Sequence, residues 1–283
     1  MRTLARILSI IICILCLGAF ISLFQGKINL SFSSFWQNFT HLVYTLTHPD
    51  TMTFQTESFT HETKYDVFPD FFGFYFYTLT ILFLGFLLSL GFAILWILIT
   101  FQLSLKKRLL LIRSSTLLES VPDVFVIVLA QLFFVYLFKK TGILVFEVVG
   151  GSERPYALPL LTYSILPTIF LYRTLILIFE DELMKPYVEL ATGKGLTGFH
   201  VLMRHVFRNS LVSLINHSKM IISFMFSNLI MLEILFNTYG LTWFVINHPA
   251  YEIATISVIL MFIPLFLLEE VVKKLKTKYV GGE

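Results

Sequence analysis

The chain has 283 residues, 57% of them hydrophobic and 14% charged, with a mean hydropathy of +0.81 and a net charge of only +3. Soluble domains carry about 25% charged residues, and a soluble fold could not hide 31 phenylalanines without large exposed apolar patches. Lipid is therefore the solvent for most of the chain, and no nucleic-acid partner is expected.

A spanning helix needs about 20 mostly apolar residues. Six stretches meet this, at about 5–24, 72–101, 114–138, 157–179, 210–236 and 252–272, which predicts an all-α polytopic membrane protein. Arg2 and Arg6 precede the first stretch, and no convincing small-x-small cleavage site follows before Gln25. Residues 1–24 are therefore read as an uncleaved first span rather than a signal peptide. Cys13 and Cys16 form a C-x-x-C pair inside this span, with no second pair to complete a metal site. They are read as small, lipid-tolerant residues.

Residues 25–71 form the one sizeable loop on the outer side. Phe32, Phe35, Trp36, Phe39, Leu42, Val43 and Leu46 recur at helical spacing, predicting an amphipathic helix that lies at the outer interface or caps the bundle. The polar, threonine-rich "TMTFQTESFTHETKYD" that follows suggests a short hairpin. His41, His48 and His61 are spaced by 7 and 13 residues, which fits no ligand template, so no metal is expected.

Residues 72–283 form the core, with the five remaining spans, a segment at 180–209 and a tail. Glu119 and Asp123, four apart, are placed on one face of the third span, with Arg113 and Lys106–Arg108 as salt-bridge partners. In the 180–209 segment, "EDELMKPYVELA" reads as helical up to Ala191, and Gly193, Gly195 and Gly198 then form a joint. Phe199, Leu202, Met203, Val206 and Phe207 follow an apolar helical stripe, with His200, Arg204 and Arg208 opposite. Two readings stand: a loop that snorkels arginines to anionic lipid, or a projecting helix that docks into a groove on a soluble partner. His205 is read as a packing histidine rather than a pH switch. Lys219 is placed near enough to the cytoplasmic side to snorkel. Glu233 lies 14 residues further on, about 21 Å along a helix, so the two cannot pair. Glu233 is read as bonding the backbone of the "NTYGLTW" corner, with a pathway-lining role as the alternative.

Lys and Arg orient the chain. Arg2 and Arg6, Lys106, Lys107, Arg108 and Arg113, Lys185, Lys194, Arg204 and Arg208, and Lys273, Lys274, Lys276 and Lys278 all fall on one side if there are six spans. Both termini and the 180–209 segment are thus expected to be cytoplasmic.

Glu189-Leu190-Ala191 followed by Gly195 resembles the "EAA…G" loop of permease subunits of binding-protein-dependent ABC importers. The run "YVELATGKGL…VLMRHVFRNSL" resembles the dipeptide, oligopeptide and nickel subfamily pattern "YVrTArAKGL…vllRHalrNaL". Tyr187, Val188, Ala191, Lys194, Gly195, Leu196, Arg204, His205, Arg208 and Asn209 match it in register. Ser120-Val121-Pro122, the run "LPLLTYSILPTIFLYR" with Arg173, and Glu233, Phe236, Gly240 and Leu241 extend the likeness over about 72–272. The amino-terminal motif ending in "APGDP" is absent, and Gly193 replaces a usual Ala.

The resemblance implies a bacterial inner-membrane permease without catalysis of its own. Tyr187, Glu189, Ala191, Lys194, Gly195, Leu196 and Thr197 would form a coupling helix between the fourth and fifth spans, docking to a cytoplasmic ATPase. Arg173, Arg204, His205, Arg208 and Asn209 would support it; Glu233, Phe236 and Gly240 would form an outer corner of the pathway. The implied partners are a second homologous permease, two ABC ATPases that bind ATP and Mg, and an extracytoplasmic solute-binding lipoprotein. Peptides are the family default as cargo. No Walker A motif occurs, so this chain is not expected to bind ATP. Rival functions are an ion-driven carrier, for which no internal repeat is seen, and a membrane-embedded enzyme, for which neither H-E-x-x-H nor G-x-S-x-G occurs.

Overall fold

A computed structural model describes residues 2–24, 31–57, 62–151 and 154–279. Eleven α-helices among them account for nearly all regular structure: α1 (Arg2–Ser22), α2 (Phe32–Thr47), α3 (Asp70–Gln102), α4 (Leu105–Glu119), α5 (Asp123–Thr141), α6 (Ala157–Leu183), α7 (Pro186–Gly193), α8 (Gly198–Val201), α9 (Phe207–Phe236), α10 (Leu241–Asn247) and α11 (Tyr251–Tyr279). Helices satisfy every backbone polar group within the segment, which lipid demands. By length and composition, five stretches suffice to cross a membrane: Leu4–Ser22, Asp70–Gln102, Asp123–Thr141, Ala157–Leu183 and Tyr251–Val271. A sixth candidate is a pair bent by 59°, Gly198–His217 with Met220–Phe236.

The expected third span at 114–138 is not one helix. Pro122 has no N–H and disfavours helical backbone at Val121, so α4 ends at Glu119 and α5 starts at Asp123. Glu119 and Asp123 therefore sit on different helices, not on one face.

The chain divides into two compact units, the first comprising Met1–Thr78 and Tyr239–Leu267, the second Leu79–Thr238 and Leu268–Glu283. In the first, Ser31 caps α2 by accepting from the Ser34 amide at 3.1 Å. The amphipathic stripe splits by function. Leu42 is buried with Leu15, Ala19 and Ile259, and Phe35, Phe39 and Leu46 pack against them, while Phe32, Trp36 and Val43 stay exposed. The bundle closes on Gly18, where a Cβ would lie 2.2 Å from Thr255 Oγ1 and 3.2 Å from Leu42 Cδ1. Beyond α2, β1 (Thr53–Glu57) and β2 (Glu62–Asp66) form the expected hairpin, antiparallel in register Thr53↔Asp66 to Glu57↔Glu62. His41 Nδ1 lies 3.2 Å from the Tyr251 hydroxyl and 3.7 Å from Glu252, and His48 stacks on Tyr44. His61 falls outside the described residues. Cys13 and Cys16 are free thiols.

The second unit is built around α6, whose Leu171, Tyr172, Leu175 and Phe179 are almost fully buried. It crosses α3 at a small-residue seam. A Cβ on Gly85 would meet the Tyr163 ring at 2.4 Å, and Ser89 Oγ donates to the carbonyls of Gly85 (2.7 Å) and Ser164 (3.1 Å). Tyr163 donates onward to the Met225 carbonyl of α9 at 2.7 Å, and Thr100 bonds the Tyr172 hydroxyl at 2.8 Å. Gln131 of α5 donates to the carbonyls of Val148 and Leu235, both at 3.1 Å.

Candidate functional site

The segment between α6 and α9 is the longest polar stretch of the second unit. The expected helix through "EDELMKPYVELA" is broken. Lys185 is extended (φ −78°, ψ 145°) because it precedes proline, and Pro186 opens α7 at a position that needs no N–H. The joint is two residues, Met184 and Lys185.

α7 is amphipathic on a small scale. Val188 and Ala191 face inward and are buried, whereas Glu189, Leu190 and Lys194 are exposed. The smallness of Ala191 thus serves packing within this chain. Gly195 has φ +79°, the left-handed backbone that L side chains resist. This turn lets the Gly195 amide donate to the Thr192 carbonyl (2.9 Å) and the Leu196 amide to that of Ala191 (3.4 Å). No atom lies within 4 Å of where a Gly195 Cβ would be, so its role here is conformational. Gly193 and Gly198 have ordinary backbone angles, so of the three glycines only Gly195 makes the joint. Thr197 caps α8, its hydroxyl accepting from the His200 amide at 3.4 Å.

From α8 the chain passes through a π turn, Leu202–Val206, into α9. The extra residue per turn shifts the expected stripe. Val201, Leu202, Val206 and Ser210 are buried, but Phe199 is 58% exposed. His200, Arg204 and Arg208 lie on the exposed side, as the spacing predicts.

The polar centre of the segment is Glu182, which the sequence reading did not single out. It is 2% exposed and accepts from Lys185 Nζ (2.5 Å), the Tyr187 hydroxyl (2.6 Å) and Ser213 Oγ of α9 (3.5 Å). Asn209 lies near the Tyr187 hydroxyl, and the His205 ring lies 6.4 Å from the Tyr187 ring. Burial, together with the hydrogen bond to Glu182, pushes the Tyr187 hydroxyl up to about 12, so it acts as a neutral donor. The sequence did hold a signal. Leu175, Phe179 and Glu182 share one helical stripe (i, i+4, i+7), so Glu182 is an acid on an apolar face, while Asp181 is off it and exposed.

Arg173 does not join this cluster. It pairs with Glu119, which ties the end of α4 to α6. The partners expected for Glu119 from Arg113 and Lys106–Arg108 are thus replaced. Arg108 instead bonds Glu180 at 3.1 Å and lies 3.8 Å from the centre of the Phe101 ring. Arg173→Glu should loosen α4 by about 1 kcal/mol, the scale of a partly exposed pair. The Glu119→Arg/Arg173→Glu exchange should restore the wild-type melting temperature in detergent.

At the far end of α9, Glu233 is 1% exposed and its carbonyl accepts from the Thr238 amide at 3.1 Å. Phe236 is fully buried, and its carbonyl accepts from the Gly150 amide at 2.9 Å. A Cβ on Gly150 would lie 2.2 Å from the Asn237 carbonyl oxygen, so this contact admits only glycine. In the first unit, Gly240 starts α10, and the Leu241 amide donates to Thr78 Oγ1 at 2.8 Å. Lys219 lies in α9, with its side chain outside the described residues. Among the described residues no group of three or more His, Cys, Asp or Glu is placed to hold a metal.

No curated protein matches the chain. Residues 97–275, well over half the chain, match the family described as binding-protein-dependent transport system inner membrane component. That range includes α6, α7, the left-handed turn at Gly195 and α9. The protein belongs to this family, and is a multi-pass permease component of binding-protein-dependent transport in the inner membrane.

Proposed function

We propose that the chain is one permease half of an ATP-driven ABC importer, with six spans and both termini cytoplasmic. α7 is its coupling helix. The observation that carries this is a short helix anchored on one face by Val188 and Ala191 while Glu189, Leu190 and Lys194 point away from the chain. Leu190 is 62% exposed and Met184 81%, apolar surface that a docking groove on a partner would cover. The concentration of Lys and Arg around this segment and the termini supports a cytoplasmic placement.

In this reading Tyr187, Glu189, Lys194, Gly195, Leu196 and Thr197 shape the contact with one of two ATPases. His205 and Asn209 support it through Tyr187, and Arg204 and Arg208 lie along the membrane surface. ATP closure of the ATPases draws two such helices together and rocks the paired permeases between inward and outward openings. A solute-binding lipoprotein delivers the cargo, a peptide or similar small solute, with nickel and metal chelates handled by relatives of the same subfamily. ATP and Mg belong to the ATPases, and this chain binds neither.

The test is purification of the tagged chain from native membranes in mild detergent. ATPase subunits and a second permease should be retained stoichiometrically, with ATP hydrolysis. A chain that transports in liposomes under an ion gradient without them would instead be a stand-alone carrier.

A further inference from the structure

We propose that Glu182 is the positioning residue that locks α7 to α6 and α9, so that the coupling segment and the adjoining ends of both helices move as one body. The use of this lock in transport rests on the reading of α7 as the ATPase contact.

α7 has eight residues and hangs from α6 by a two-residue joint. So short a helix has little stability of its own, and a joint with free backbone angles is a pivot. Val188 and Ala191 are its only nearly buried residues, and apolar contact alone resists sliding weakly because it is non-directional. Glu182 supplies direction. One buried carboxylate takes bonds from the joint (Lys185), from the first turn of α7 (Tyr187) and from α9 (Ser213), while its own backbone belongs to α6. The bonds from Lys185 (2.5 Å) and Tyr187 (2.6 Å) are short and orientation-specific, as charge-assisted bonds are, while the bond from Ser213 is longer, at 3.5 Å. Lys185 also lies 3.8 Å from Asp181, so the joint is held on two sides. Only the carboxylate of this pair is buried, the Lys185 side chain being 43% exposed; such a pair contributes little net stability compared with apolar packing, and setting a unique geometry is its better-attested use. A push on the exposed face of α7 therefore reaches α6 and α9 instead of swivelling the joint.

The test places spin labels at Leu177 and Thr192, both exposed, after replacing Cys13 and Cys16 with serine. Distances are measured in the assembled transporter in liposomes, with and without ATP. Wild type should give one narrow α6–α7 distribution in both states. Glu182→Gln keeps hydrogen-bonding groups and should stay close to it. Glu182→Leu fills the volume without them and should broaden the distribution at least about twofold. It should also retain its ATPases. Should Glu182→Leu not accumulate, Lys185→Met serves: it leaves the carboxylate without its cation and should also broaden the distribution, and Glu182→Gln/Lys185→Met should narrow it again. Leu and Met variants as narrow as wild type would overturn the lock. Failure of the wild-type chain to retain any ATPase would overturn the importer reading, while the label widths would still decide the lock.

Discussion

Replacing Gly195 with proline is expected to leave the chain in the membrane and to cut ATPase retention at least about tenfold. Proline holds φ near −65°, whereas Gly195 sits at +79°, and its missing N–H removes the 2.9 Å bond to the Thr192 carbonyl. The last turn of α7 and the entry to α8 must then take another path. Membrane insertion should not suffer, because the position is exposed with no atom within 4 Å of a side chain placed there. Gly195→Ala should lie between, since alanine in the left-handed region costs about 1–2 kcal/mol. Gly193→Ala should behave as wild type, because Gly193 is helical and unhindered. Glu189→Lys should have an effect near that of the proline. It reverses the charge on the outward face and sets a cation at the positive end of α7, while touching nothing buried. Membrane fractionation, pull-down of the ATPase subunits and ATP-driven uptake are the measurements. Full retention and uptake in both Gly195→Pro and Glu189→Lys would remove the docking role from α7.

The largest stability effect should come from Gly85→Leu. A Cβ there already meets the Tyr163 ring at 2.4 and 2.8 Å, and that ring is held by its 2.7 Å bond to the Met225 carbonyl. It cannot swing aside without surrendering a buried hydrogen bond, so α3 and α6 must separate. Overpacking alone costs about 1–3 kcal/mol, and loss of the Tyr163 bond adds about 1 kcal/mol. Gly91→Leu is the matched control on the same helix, with nothing within 4 Å. Thermal unfolding of the two variants in one detergent should show a clear drop for Gly85→Leu and none for Gly91→Leu. Equal melting temperatures would mean that the seam between α3 and α6 is not close-packed.

Hydropathy and period are enough to read the helical class, the apolar stretches, α2, the hairpin and the exposed line of His200, Arg204 and Arg208 from the order of residues. Each of these depends on residues a few positions apart, so local spacing carries the information. Gly195 belongs with them, since a glycine after a short helix is a local turn signal. Pro122 and Pro186 also carried a local signal, and the breaks they impose correct the two helices expected to run straight through.

Which side chains meet is set by the way distant helices pack. Glu119 takes Arg173 from 54 positions away, Arg108 takes Glu180, and Ser213 reaches Glu182 across 31 residues. Gly18, Gly85 and Gly150 look alike in sequence to Gly91 and Gly151, yet only the first three have another element where a side chain would go. In a chain this apolar most residues are interchangeable by hydropathy. The few polar and small ones acquire their roles from the crossing points of helices, which no short-range pattern encodes.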